Sequence, residues 1–166
     1  MREIDGPRIR QAVRGLVVSS DNHVLLVKFK FPDRSEVWGI PGGGKELDES
    51  DHETLIRELS EEVGLHDPEI GVFICNHLRR FQFMTAKYDG QRDHIYLVRV
   101  KERFEPKPAM TWEQLNAEYV FDIRWWSMEE LMSTPPTNFI SEAIPTFVSD
   151  IVKNGPPTNG PIFISE

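Results

Sequence analysis

The sequence lacks the features that define several large classes of protein. A single cysteine, Cys75, stands among 166 residues, so no intramolecular disulfide can form and a disulfide-stapled secreted scaffold is excluded. No apolar run approaches the roughly 18 residues of a membrane span; Val24–Val27 and Val72–Cys75 are strand-sized. Residues Met1–Pro7 carry no apolar stretch of the kind that opens a signal peptide. These absences lead to the expectation of a cytoplasmic protein without membrane contact. Basic residues are in deficit too: Lys and Arg total 19 against 27 Asp and Glu, a net charge of −8. Duplex nucleic acid calls for a basic face and is not an expected partner. The five histidines show no paired metal spacing, and neither a linker nor an architectural repeat divides the chain. The length suits one domain, which at this size hides about 70% of its unfolded surface. We expect a single domain over 1–166, with its core over about 10–153 and an irregular tail over 154–166.

What the sequence does have is charge in one place. Residues 46 to 62 hold eight acids and one base, Arg57, for −7, which leaves −1 for all the rest. Charge spread over a surface speaks of solubility. Charge packed into one short segment speaks of a site.

Strands are expected over 11–19 and 23–30, with Ser20-Asp21-Asn22 as the turn between them. A short extended stretch runs through Trp38 and Ile40, and Pro41-Gly42-Gly43-Gly44 is expected to break regular structure. Ser50 with Glu53 three residues on forms a capping box, Leu55, Leu59 and Val63 recur at helical spacing with Ile56 widening the stripe, and Gly64 closes the helix. Further strands are expected at about 70–79, 81–88, 93–102 and 119–126, with Tyr88–Gln91 as a hairpin turn. Helical signal returns at 128–132 and about 138–153. This order predicts helices packed on a mixed sheet.

On a helical wheel with Leu55 at zero, Leu59, Val63 and Ile56 fall at about 40°, 80° and 100°, the face that packs inward. Glu62, Glu58 and Glu61 fall at about 340°, 300° and 240°, a carboxylate stripe along its border. Like charges one turn apart destabilise a helix, and partial burial adds a desolvation cost. A hard divalent cation relieves both. The bland alternative is a solvated acidic face. Two features weigh against it: the acids border the buried stripe, and a glycine-rich loop precedes the helix, where backbone can approach a ligand closely.

The full spacing is more specific. Gly43, five residues, Glu49, seven residues, then Arg57-Glu58-Leu59-Ser60-Glu61-Glu62-Val63-Gly64-Leu65 resembles the signature of the Nudix hydrolases, the MutT-like family. Chance supplies such a match on the order of once per billion windows, a figure that local Glu enrichment raises. Trp38–Gly43 resembles the family's strand-to-loop entry, and Arg124–Leu131 its last strand and following helix. Asp48 stands where the family often has Gly.

The resemblance implies an α/β fold, the Nudix-type α/β/α sandwich with a mixed β-sheet flanked by helices. It implies a hydrolase that uses Mg²⁺ or Mn²⁺ and water to cleave a pyrophosphate bond in a nucleoside diphosphate linked to another moiety, a small-molecule nucleotide substrate. Glu58 and Glu62 then become the metal pair, Glu61 a third ligand or the base, and Gly42 a backbone-carbonyl ligand. Arg57 orients the carboxylates, while Glu49 is either an outer metal contact or a carboxylate on the helix dipole. Many members add an acid from outside this segment, for which Glu118 is placed best and Glu113 second. The general base stays open among Glu61, Glu58 and Glu118. Phe81, Phe83 and Tyr88 are candidates for stacking on a base, and Arg79 and Arg80 for meeting phosphates; a core or solvated position is the ordinary fate of each. A homodimer through Trp112 or the tail is compatible with the sequence. The alternative function is a Nudix-fold sensor that binds a nucleotide without turnover, against which the intact acids count.

Overall fold

The structure, a computed structural model, describes residues 8–33, 35–80 and 88–166. Its strands are β1 (Ile9–Ser19), β2 (Val24–Lys30), β3 (Glu36–Gly39), β4 (Gly42–Gly44), β5 (Ile70–Arg80), β6 (Gly90–Val100), β7 (Val120–Trp126) and β8 (Ile162–Ser165). The helices are α1 (Asp51–Val63), α2 (Trp112–Ala117), α3 (Met128–Ser133) and α4 (Ile144–Asn154), with a 3-10 turn at Pro136–Asn138.

β1 lies at the centre and is buried on both sides, which is why it reads as a Val/Leu run rather than a clean alternation. Val13 and Val17 face one way, against Leu55, Leu59 and Val63 of α1. Leu16 and Val18 face the other, against Phe147, Val148 and Ile151 of α4. In β2, Leu25 and Val27 join the α1 side while Val24 and Leu26 join the α4 side, the period of two expected of a strand. The result is the expected α/β/α sandwich on a mixed sheet. β1 runs parallel to β6 along its whole length, and β5 is antiparallel to β6.

What positions the site is a divergence. β1 and β2 pair only beside their turn, at Val18↔Val24. Beyond that point they separate, and the chain between them pairs both ways: β3 with β2 and β4 with β1. β7 adds to β2 as well. An opening results between the β1 and β2 halves of the sheet.

α1 starts and stops where its sequence signals place it. Ser50 accepts the Glu53 amide at 3.1 Å and Glu53 returns a carboxylate to the Ser50 amide at 3.0 Å. Gly64 takes φ 75° and closes the last turn. Trp126 is buried in the α4 layer, whereas Trp125 faces the α1 layer and donates its indole N–H to the Phe104 carbonyl at 2.8 Å, the opposite orientations that adjacent strand residues must have.

Five expectations change. Gly42–Gly44 forms a strand, because β1 offers it a free edge at Ala12–Arg14. Residues 154–166 are not all irregular: Ile162–Ser165 pairs parallel with Cys75–Leu78 of β5 as β8. α4 begins at Ile144, not near 138, with Pro145 in its first turn. Gly90 and Gln91 already belong to β6, opposite Arg80 and Arg79, so they are strand and not turn; the strand expected at 81–88 falls mostly outside the described residues. Ile56 is 41% exposed and does not widen the buried stripe. α2 was not anticipated, although Thr111 and Gln114 carry the same capping-box signal as α1. Among the described residues, no helix is long and apolar enough to cross a membrane.

Candidate active site

An open cleft of about 1350 Å³ occupies the gap where β1 and β2 diverge. Gly42–Gly44 lines it, and Gly42 is a position that requires glycine. Gly42 has φ 146°, and a Cβ there would stand 2.1 Å from the Val13 carbonyl oxygen. A Cβ on Gly43 would meet the Glu58 carboxylate at 2.5 Å. The backbone of the loop therefore lies directly against the carboxylates of α1.

Two of those carboxylates are buried. Glu62 is 3% exposed and accepts the Gly42 amide at 3.0 Å. Burial pushes its carboxyl up to about 8, with the charges of Glu58 and Glu118 adding to the effect and Arg14 opposing it. Glu58 is raised as well, by burial first, and Arg57 offsets part of this at 2.9 Å. Buried like charges beside backbone carbonyls are a hard-oxygen donor set short of positive charge. A hard divalent cation placed there would supply the missing charge.

Arg57 fastens the cluster together. It meets Glu49 with two hydrogen bonds, Nε to Oε2 at 2.8 Å and Nη2 to Oε1 at 2.9 Å. It also donates to the Gly44 carbonyl at 3.0 Å, to Glu58 at 2.9 Å and to Glu61 at 3.3 Å. Glu49 further accepts the Thr54 hydroxyl and the Glu46 amide. Its carboxyl is pulled down to about 2, chiefly by Arg57. Glu49 thus ties the loop to the helix, and it lines the cleft as well. Asp48, where glycine is frequent in the resembling family, takes φ 65°. Asp tolerates this left-handed region better than most residues, so the departure leaves the turn intact.

The remaining candidates divide. Glu118, at the end of α2, lines the cleft, and its charge acts on both Glu58 and Glu62. Glu113 does not line it. Glu61 is half-buried on the flank, tied to Arg57, and is absent from the cleft lining. Among the described residues, no three acids, histidines or cysteines gather into a ready-made cage. Tyr88 and Arg79 line the cleft and Arg80 does not, while Phe81 and Phe83 lie outside the described residues.

The NUDIX domain profile matches residues 8–147. The chain belongs to the NUDIX domain family. It is 37% identical over 102 residues to an RNA pyrophosphohydrolase of a Nitratiruptor species, covering 57% of this chain and 65% of that protein. It is 28% identical over 94 residues to one from Sphingopyxis alaskensis, covering 51% and 60%. The matches thus span a little under two thirds of those relatives. Among solved structures, a NUDIX hydrolase from Nitrosomonas europaea aligns with TM-score 0.66 at 16% identity over 97% of this chain and 81% of its own. The MutT protein of Methanosarcina mazei Go1 aligns with TM-score 0.63 at 17% identity over 91% and 97%. At such identities the likeness is one of fold.

Sequence reasoning passed over two features of this NUDIX domain. Arg14 on β1 is buried, sits 3.1 Å from Asp93 and donates to the Ile40 carbonyl at 3.0 Å. Burial opposes its charge, but Asp93 and then Glu62 and Glu58 outweigh that and raise its pKa. The signal was an arginine inside an otherwise apolar strand. Phe31 and Tyr119, ring centroids 5.6 Å apart, form an aromatic wall on the β2 side of the cleft. Nothing local in the sequence pairs them.

Proposed function

We propose that the protein hydrolyses a pyrophosphate bond in a nucleoside diphosphate linked to another moiety, with Mg²⁺ or Mn²⁺. One observation carries this reading: Glu58 and Glu62 are buried side by side on one helix at the floor of an open cleft, against a glycine loop and without enough positive charge. Glu58, Glu62 and the Gly42 carbonyl would hold the cation, with Glu118 facing them from α2. Bound there, it would neutralise phosphate oxygens and lower the pKa of a water.

The chain's own residues do the rest. Arg57 holds Glu58 and, through Glu49 and the Gly44 carbonyl, locks the loop to the helix at a fixed distance. Preorganisation of this kind removes reorganisation cost from the reacting step. Glu118 is the acid we assign to take the proton from water, since it lines the cleft that holds the two buried carboxylates. Glu61 is assigned a supporting role through Arg57.

The test is product release from nucleoside triphosphates, nucleotide sugars, ADP-ribose, dinucleotides and short 5′-triphosphorylated RNA. The RNA is included because relatives are named RNA pyrophosphohydrolases. Each runs with Mg²⁺ or Mn²⁺ beside Glu62→Gln. Turnover by the wild type alone supports the reading. Nucleotide binding with no turnover anywhere replaces it with the sensor.

A further inference from the structure

The cleft wall opposite Phe31 and Tyr119 carries arginines, one of which is left without a full set of partners. Arg10 on β1, Gln91 on β6 and Arg79 on β5 stand in one cross-strand row, since both Arg10 and Arg79 register with Gln91. Two residues further along, on the same face, Asp93 pairs with Arg14 at 3.1 Å. Arg14 has the closest claim on Asp93, and the charges of Glu62 and Glu58 act on Arg14 besides. Arg10 donates to the neutral Gln91 amide oxygen at 2.9 Å. Arg79 reaches Asp93 only at 3.8 Å, beyond hydrogen-bond range. Its Nε is buried and has no hydrogen-bond partner among the described residues. Glu166 also attracts Arg79, but its carboxylate is committed to Ser141 and His77.

A buried guanidinium N–H without an acceptor is costly, and natural structures rarely leave one unexplained. Burial together with the neighbouring Arg14 and Arg10 lowers the pKa of Arg79, the mark of a cation short of counter-charge. Arg10 and Arg79 both line the cleft that holds Glu58 and Glu62. A planar fork at such a wall matches the oxygens of a phosphate group.

We propose that Arg79, with Arg10, binds a phosphate of the substrate that lies away from the α1 carboxylates. The favoured substrate class then carries at least one phosphate beyond the pyrophosphate being cut, as a triphosphate end does and a diphosphate sugar does not. This rests on the hydrolase reading for the word substrate; the anion site itself does not.

The first arm measures binding of inorganic tripolyphosphate to the full chain in EDTA by calorimetry, so that no cation recruits it to the carboxylates. Wild type is expected to bind, with Arg79→Gln weaker by about 10-fold or more and Arg10→Gln by several-fold. Arg79→Lys, which keeps charge but loses the fork, falls between. Equal binding by Arg79→Gln and wild type, or none by wild type at millimolar concentration, overturns the proposal. If Arg79→Gln melts early by circular dichroism, Arg10→Gln and Arg79→Lys carry the same comparison.

The second arm measures KM and kcat. Arg79→Gln should raise KM for a nucleoside triphosphate about 10-fold and for a diphosphate sugar less than about 2-fold. An equal loss on both overturns the proposal in favour of a structural role. Arg79-dependent tripolyphosphate binding with no turnover of any substrate removes the hydrolase reading and leaves the anion site standing.

Discussion

Glu49 and Glu62 come from one acidic stretch and are held in opposite ways. Glu49 stands near its start, held by Nε and Nη2 of Arg57, with its carboxyl pulled down to about 2. Glu62 is buried beneath the loop with one amide bond, and its carboxyl is pushed up to about 8. The first is satisfied and belongs to the architecture. The second has no guanidinium bonded to it among the described residues, and the proposed reaction assigns it to the cation. Burial and direct bonding set identical side chains apart: Arg57 bonds Glu49 and Glu58 but not Glu62, on which Arg14 acts through its charge.

The comparison can be broken by exchanging charge for shape. Glu62→Gln is expected to cost turnover about 10³-fold or more, through loss of the cation site. Its Tm should stay at or above that of wild type, because a buried carboxylate becomes a neutral isostere; a lower Tm with retained turnover would reverse the assignment. Asp93 sharpens the contrast from another strand, being buried like Glu62 yet lowered in pKa, since Arg14 and Arg79 flank it and outweigh the burial. Asp93→Asn should therefore destabilise by about 3 kcal/mol in urea unfolding, since it strips a buried guanidinium of its carboxylate. A change below about 1 kcal/mol would mean that Glu62 and Glu58 already satisfy Arg14.

Glu118→Gln should lower kcat about 10²-fold with little effect on Tm, as removal of an exposed proton acceptor does. If Glu61→Gln instead produces the larger loss in kcat, the roles assigned to these two acids exchange. The smallest effect belongs to Glu49. Its carboxyl is lowered on folding, so the stability it contributes is complete above its unfolded value of 4.5 and is lost as pH falls through about 2. Glu49→Gln should be about 1–2 kcal/mol less stable than wild type at pH 7. That gap should close between pH 4.5 and about 2; a gap constant across the window would mean Arg57 is not what holds Glu49.

α1 is the element most legible in the sequence. Its cap, its stop, its buried stripe of Leu55, Leu59 and Val63 and its bordering Glu58 and Glu62 all depend on spacing within one helix. Ile56 is the exception, because the wheel gives the direction of a side chain but not how far the neighbouring layer extends. β8 was missed for the opposite reason. Ile162–Ile164 has strand composition, but Gly155, Pro156 and Pro157 precede it, and only the exposed edge of β5 gives it a partner. β4 owes its existence to β1 in the same way.

By itself, then, the sequence determined what depends on near neighbours: the two apolar faces of β1 and β2, the capped acidic helix, and the spacing of Gly43, Glu49, Glu58 and Glu62. Tertiary structure decided everything that required distant segments to meet. It parted β1 from β2 to open the cleft, gave Glu49 to Arg57, and set Glu118 opposite Glu58. It also brought Arg10, Gln91 and Arg79 into one row from three separate strands. The physical reason is that local propensity and periodicity act over a few residues, whereas burial and charge depend on which surfaces the fold brings together.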